Sequence, residues 1–488
     1  MPTVPAVRIL KANKEPPRGD RGFVLYWMTS FRRTGWNYAL DRAVEWAVKM
    51  GKPLVVFEPL RVAYPWASER FHRFIIDGMA DNARKLAKHK VLYYPHVEPF
   101  PGADKGLLAA LSHQACVIIS DDFPAFFLPR MVASGAVKVP VLMEKVDSNG
   151  LFPIHAADRA FPTAFSFRRH LQKTLVNHLP EQPKSDPFKG VALADPQPLP
   201  AEIRKRWPPV PAAMLDGDPG SLTLLPIDHQ VGAVEKPGGS QKAGQILSLF
   251  LERKLSSYPE DRNHPDEDGT SGLSPYLHFG HISTQQILHD LAEKEDWFMD
   301  RLPERATGKS RGWWGMSEGA EAFLDELITW REVGFNMCSQ REDYYQYESL
   351  PGWALATLED HQKDRRSYTY SLEELETAAT HDPLWNAAQR QLVREGRIHN
   401  YLRMLWGKKI LEWSTSPRDA LNRMVELNNK YALDGRDPNS YSGIMWVLGR
   451  YDRPWGPERQ VFGKVRYMSS ENTARKVRVE EYLSKYRH

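Results

Sequence analysis

The chain has 488 residues, 42% of them hydrophobic, and 65 Lys and Arg against 61 Asp and Glu leave it mildly basic at +4. That length exceeds one ordinary core and implies two or three domains. No apolar run approaches the ~18–20 residues of a membrane span, and the charged start, MPTVPAVRILKANKEPPRGDRG, lacks a signal core.

Two cysteines, Cys116 and Cys338, give neither a disulfide framework nor a metal-ligand cluster. These features point to a metal-free protein of the reducing cytoplasm, nucleoid-associated if prokaryotic, with no membrane partner.

In chain order, FVLYWM at 23–28 reads as a short strand, followed by a helical pattern at 37–50 and a second strand, PLVVFEP, at 53–59. A helix fits 69–89. VLYYP at 91–95, CVIIS at 116–120 and VPVLMEKVD at 139–147 complete the series. Short apolar strands alternating with helices predict a parallel, Rossmann-like α/β sheet covered on both faces. Asp121 and Asp122 follow a strand at the carboxyl edge, where such sheets bind ligands, although acids also cap helices there.

Ten of the 37 prolines fall between 186 and 240, which predicts an irregular connection between domains. Beyond 241 strand signals fade, and helical periods recur at 241–255, 281–295, 319–337, 371–379, 383–395, 397–413 and 417–430. The expected organisation is an α/β domain at 20–185, a long linker at 186–240 and an all-helical domain at 241–488.

Four stretches of the helical part carry chemistry. GTSGLSPYLHFGHIS at 269–283 sets small and hydroxyl residues before a helix, as an N-capped loop or as a phosphate holder. ELITW places Glu326 and Trp330 at i and i+4, a solvent-edge pair or a base-reading pair. In RIHNYLRMLWGKKILEW, Trp406 and Trp413 stand seven residues apart on nearly one face, about 10 Å along the axis. That is too far for ring contact, and same-face aromatics are commonly core. NNKYALDGRDPNSYSGIMW at 428–446 groups Asn428, Asn429, Asp434, Arg436 and Asp437, as a charged turn or as a grip on ribose and phosphate. From Gly449 to His488, ten Lys and Arg against five Asp and Glu alternate with aromatics, a pattern that suits a solvated surface or a nucleic-acid backbone.

Together VLYWM, GLSPYLHFGHIS, HDPLWNAAQ, LRMLWGKKILEW, NNKY-LDGRDPNSYSG--W and VFGKVRYM resemble the class II cyclobutane pyrimidine dimer photolyases of the cryptochrome/photolyase family, from about residue 22 onward. The resemblance implies an FAD-binding helical domain and light-driven repair of dimers in damaged double-stranded DNA, for which a monomer suffices. The alternative is a cryptochrome-like FAD photoreceptor without repair.

Residue by residue, the resemblance implies an electron path of Trp406 beside the flavin, Trp385, and Trp413 at the surface. Arg403 pairs with Asp434 beside the isoalloxazine, and Asn428 faces flavin N5. Tyr258, Thr270, Ser271, Leu273 and Ser274 surround the phosphates and ribityl, with Asp437 also on the cofactor side. Glu326, Trp330, Met404 and Trp446 cradle the flipped-out dimer, and Glu326 stabilises its radical anion. Arg453, Trp455 and Arg466 fill or support the hole left in the duplex.

The resemblance leaves open whether an antenna pigment, 8-hydroxy-5-deazaflavin or methenyltetrahydrofolate, sits in the N-terminal domain, and Asp121 or Glu144 does not discriminate between them. The chain departs from the family pattern at His399-Asn400, at Leu405 in LWGKK, in FNMCSQ and around 450–460, changes expected to touch the DNA face more than the flavin face.

Overall fold

The computed structural model describes residues 4–487. A six-stranded sheet contains β1 (Ile9–Lys11), β2 (Phe23–Trp27), β3 (Leu54–Leu60), β4 (Val91–Val97), β5 (Ala115–Asp121) and β6 (Met143–Val146), in the order β1-β6-β5-β2-β3-β4. All neighbours run parallel except β1, which pairs antiparallel with β6. Every residue of β2 and β5 is buried, as strands covered on both faces require. Helices Tyr38–Met50 and Glu69–Leu86 return the chain between strands, the first capped by Asn37 and ended at Gly51 in the left-handed region.

The carboxyl-edge acids are consumed by the fold. Asp121 accepts the backbone N–H groups of Thr29, Ser30 and Phe31 and the Tyr26 hydroxyl, which pins the loop after β2. Asp122 takes Lys145 and His155, and Glu144 takes Arg42 and the Trp46 indole.

The chain divides into two compact units: 1–157 with 175–247 and 273–291, and 158–174 with 248–272 and 292–488. These differ from the expected boundaries at 185 and 240. The proline-rich stretch is not a free linker, because Leu199, Ile203 and Trp207 are buried in the same core as Trp27, Phe57 and Leu111 of the first unit. Proline removes backbone donors but does not prevent side-chain burial.

Regular structure in the second unit is helical. Its central layer is formed by Arg331–Gln340, Pro383–Glu395, Asn400–Trp413, Pro417–Tyr431 and Pro438–Val447. Gly334 lets the first of these approach the last closely: a Cβ there would lie 2.7 Å from the Pro438 carbonyl oxygen. Pro438–Val447 lies within the stretch whose polar density suggests a turn. Asp437 caps its N-terminus by accepting from Asn439 N–H, and Pro438 fills the first helical position.

Candidate functional site

The second unit holds a cavity of about 430 Å³, with Glu326, Trp330, Arg403, Met404, Trp446 and Arg466 in its lining. All six are expected site residues, drawn from three helices and the C-terminal loop. Glu326 and Trp330 lie on a π-helical segment, Asp325–Trp330, inserted between α-helices Glu318–Leu324 and Arg331–Gln340. Such insertions are frequent at functional sites because they re-aim side chains out of the α register.

Glu326 is ion-paired with Arg262, which also lines the cavity. Burial lifts the Glu326 carboxyl above its usual range even though Arg262 opposes the shift. The Arg262 guanidinium lies 5.5 Å from the Tyr258 ring centroid, so Tyr258 stands behind the ion pair. Burial, and then the Glu326 charge, hold the Tyr258 phenol above its ordinary range. Arg262 is a site residue that sequence reasoning missed. No local pattern marks it, since the helix beside it is only Tyr258–Asp261 and its partner Glu326 is distant in sequence.

Trp330 and Trp446 stack on each other, with centroids 4.5 Å apart and planes 12° from parallel. They form one double-thickness aromatic wall, and a base can stack on an outer face but not between them as they stand.

Arg403 Nη2 lies 3.1 Å from Asp434 Oδ2 and also bonds Oδ1. A tight turn places the carboxylate: Arg436 has φ +66°, and a Cβ on Gly435 would come within 2.9 Å of the Asn428 carbonyl oxygen. Arg403 Nε is buried with no partner among the described residues. Asn428 is 2% exposed, and its amide donates to Ser440 Oγ and Asn429 Oδ1. The hydrogen-bond network assigns that amide orientation.

Other expected cofactor residues are not gathered into this cavity. Thr270 and Ser271 are half-buried, Leu273 is buried and Ser274 exposed. Leu273 occupies the N-cap position of Ser274–His278 and supplies no side-chain cap. Asp437 Oδ1 is engaged at a helix N-terminus.

The tryptophans follow the expected order but not the expected exposure. Trp385 Nε1 donates to the Trp406 backbone carbonyl at 3.0 Å, and Trp385 meets the Trp413 ring edge-on at 5.4 Å. Trp406 Nε1 donates to Gln389. Trp413 is only 2% exposed and not at the surface, because Tyr370 and His381 cover it edge-on at 5.2 and 5.4 Å. The aromatic series continues outward to Tyr368, which stacks on His381 at 3.8 Å and is 51% exposed.

On the C-terminal loop, Arg453 and Arg466 approach the exposed Trp455 ring at 4.9 and 5.4 Å. Neither arginine has a carboxylate partner among the described residues. Trp455 N–H donates to the Lys464 carbonyl, which fixes the loop across its width. Of the sequence departures, Asn400 lines the cavity, whereas Leu405 is buried at 1% exposure outside its lining.

No family model matches the chain. The deoxyribodipyrimidine photo-lyase of Methanothermobacter thermautotrophicus is 35% identical over 489 residues, covering 99% of this chain and 98% of that one. The deoxyribodipyrimidine photo-lyase of Potorous tridactylus is 32% identical over 503 residues, covering 99% and 86%. The crystal structure of a bacterial class III photolyase from Agrobacterium tumefaciens matches the fold with a TM-score of 0.69 at 17% identity, over 96% of this chain and 86% of that one. With relatives this similar along the whole chain, the protein belongs to the deoxyribodipyrimidine photo-lyase family.

Proposed function

We propose that the photo-lyase activity of this chain is repair of cyclobutane pyrimidine dimers in duplex DNA, of the class II type, with FAD held against the Arg403–Asp434 pair. One observation carries the reading: a single cavity is lined both by Arg403, with its orphaned Nε, and by the set Glu326, Trp330, Met404 and Trp446. When bound, reduced FAD supplies on excitation the one electron that splits the cyclobutane ring and is returned.

The chain's own residues do the rest. Asp434 holds the Arg403 guanidinium in place, and Asn428, whose two amide hydrogens go to Ser440 and Asn429, would meet the cofactor through its amide oxygen. Trp330 and Trp446 present a flat apolar face to a base out of its stack, and a poorly stacked lesion leaves the duplex at least cost. Glu326, its carboxyl raised by burial, donates a hydrogen bond or a proton to a pyrimidine carbonyl, and Arg262 competes for the same oxygen. Trp406, Trp385 and Trp413 link the flavin side of the cavity toward the Tyr370 and His381 edge, a path for reducing the cofactor.

A non-repairing photoreceptor has no use for the lesion wall, and family membership favours repair. The test has two halves. FAD titrated into purified protein should saturate at one per chain, and Arg403→Ala should lose it. Dimer-containing duplex should bind more tightly than intact duplex, and Trp446→Ala should erase the difference. Loss of neither property in these variants would remove the assignment.

A further inference from the structure

The motif HDPLWNAAQ places Trp385 and Gln389 four residues apart on helix Pro383–Glu395, hence on one face. Both meet Trp406 on helix Asn400–Trp413. Trp385 Nε1 donates to the Trp406 backbone carbonyl, and Trp406 Nε1 donates to Gln389 Oε1 at 2.9 Å. Trp385 and Gln389 are 0% exposed and Trp406 2%, so bulk water does not reach this contact. The Gln389 amide is oriented by its other end: Nε2 donates to the Glu376 backbone carbonyl at 3.4 Å, which leaves Oε1 toward the indole. The Glu376 carboxylate is itself taken by Lys430 and Tyr431.

A buried indole N–H does not of itself require this partner. In the same chain the Trp46 N–H donates to the Glu144 carboxylate and the Trp207 N–H to the Ala103 backbone carbonyl. Those of Trp27 and Trp313 are buried with no partner among the described residues. These acceptors differ in a property that matters only when the indole is oxidised. Loss of one electron makes the indole N–H a far stronger acid, and a carboxylate in contact with it would take the proton. An amide oxygen accepts the hydrogen bond, which strengthens as the indole becomes positive, yet it is too weak a base to take the proton.

We propose that Gln389 is a positioning residue of the electron path, one that holds the Trp406 N–H without accepting its proton. The inference rests on the role given to Trp406 above. Trp406 gives one electron toward the bound cofactor, keeps its proton on Nε1, and regains one electron from Trp385. No proton moves in this step, so the electron hole passes outward instead of being trapped at Trp406 as a neutral indolyl radical.

Flash spectroscopy of the full, flavin-loaded chain tests this in a Trp385→Phe background, where the oxidised Trp406 has no indole behind it to refill it. With Gln389 in place the transient should show the protonated indole radical cation and decay at the same rate in light and heavy water. Gln389→Glu, with the pH raised until the buried carboxyl ionises, should lose the cation bands and show the neutral indolyl radical instead. Gln389→Met, which keeps the side-chain length and offers no base, should keep the cation. A role in packing alone would make the Glu and Met variants alike, and that result would overturn the proposal. So would a neutral radical formed with Gln389 in place. Absence of a tryptophan radical from all of these proteins would instead overturn the electron path on which the role rests.

Discussion

In the proposed reaction Glu326 and Trp406 make opposite demands on their surroundings. Desolvation raises the Glu326 carboxyl against the pull of Arg262, and the proposed role is a hydrogen bond or a proton given to the lesion. Glu326→Gln keeps a donor without a transferable proton, and Glu326→Ala keeps neither. Repair yield under light should fall in the order wild type, Gln, Ala, with Ala down roughly tenfold or more, and flavin content unchanged. Wild-type yield in the Ala variant would remove the role. Trp406, in the proposed path, gives one electron toward the cofactor and is re-reduced by the next donor. Trp406→Phe should abolish photoreduction of oxidised FAD, followed by absorbance, while leaving repair by chemically reduced protein near normal. Both roles are implied by the family resemblance, because the local patterns alone, a carboxyl next to an indole and paired indoles on one helix, fit a solvent-edge pair and a core face as well. Arg262 was not legible, because its pairing with Glu326 spans 64 positions and no local period encodes it.

At the level of elements, helix Pro438–Val447 organises the site, since it carries Trp446 and packs on Arg331–Gln340. Gly334→Ala should cost roughly 1–3 kcal/mol in urea unfolding through the backbone clash with Pro438, although alanine favours an isolated helix by ~1 kcal/mol. Lys408, 1% exposed, donates to the Val447 carbonyl at the other end of the same helix. Burial lowers its pKa to about 7. Between that value and the unfolded one near 10.4, the unfolded chain holds a proton that the folded chain lacks, so this group makes stability rise with pH across that window. Lys408→Met removes the dependence. The variant should be the more stable protein at pH 7, and its advantage over wild type should shrink by about 1.4 kcal/mol per pH unit toward pH 10. A constant difference between the two melting curves would contradict the buried, neutral amine.

The elements themselves were unequally legible. Strands β2, β3 and β5 were plain because burial on both faces favours apolar runs, and the edge strand β4 was plain from its apolar start, VLYYP. β1 was invisible: three residues at an antiparallel edge carry almost no pattern. The Pro438–Val447 helix was hidden by polar residues, though Asp437-Pro438 is a capping signal.

Across the whole molecule, the mild net charge conceals a concentrated one. Arg453 and Arg466 flank the exposed Trp455 with no carboxylate partner among the described residues, so their charge is available to phosphates. Binding to duplex should weaken with salt, and alanine at either arginine should reduce the logarithmic slope by about one. Trp330→Ala should spare the slope and lose discrimination for the lesion instead. Domain limits were the least legible feature, since proline content marks irregular backbone and says nothing of where Trp207 is buried. The central claim is that one cavity brings light-driven electron donation to a pyrimidine dimer. Its most direct test is illumination of flavin-reduced protein with an oligonucleotide carrying one thymine dimer, scoring restored thymines against a dark control. Restoration in light alone, sharply reduced in Glu326→Ala, is the expected result. Equal restoration in light and dark, or none in the flavin-loaded wild type, would contradict it.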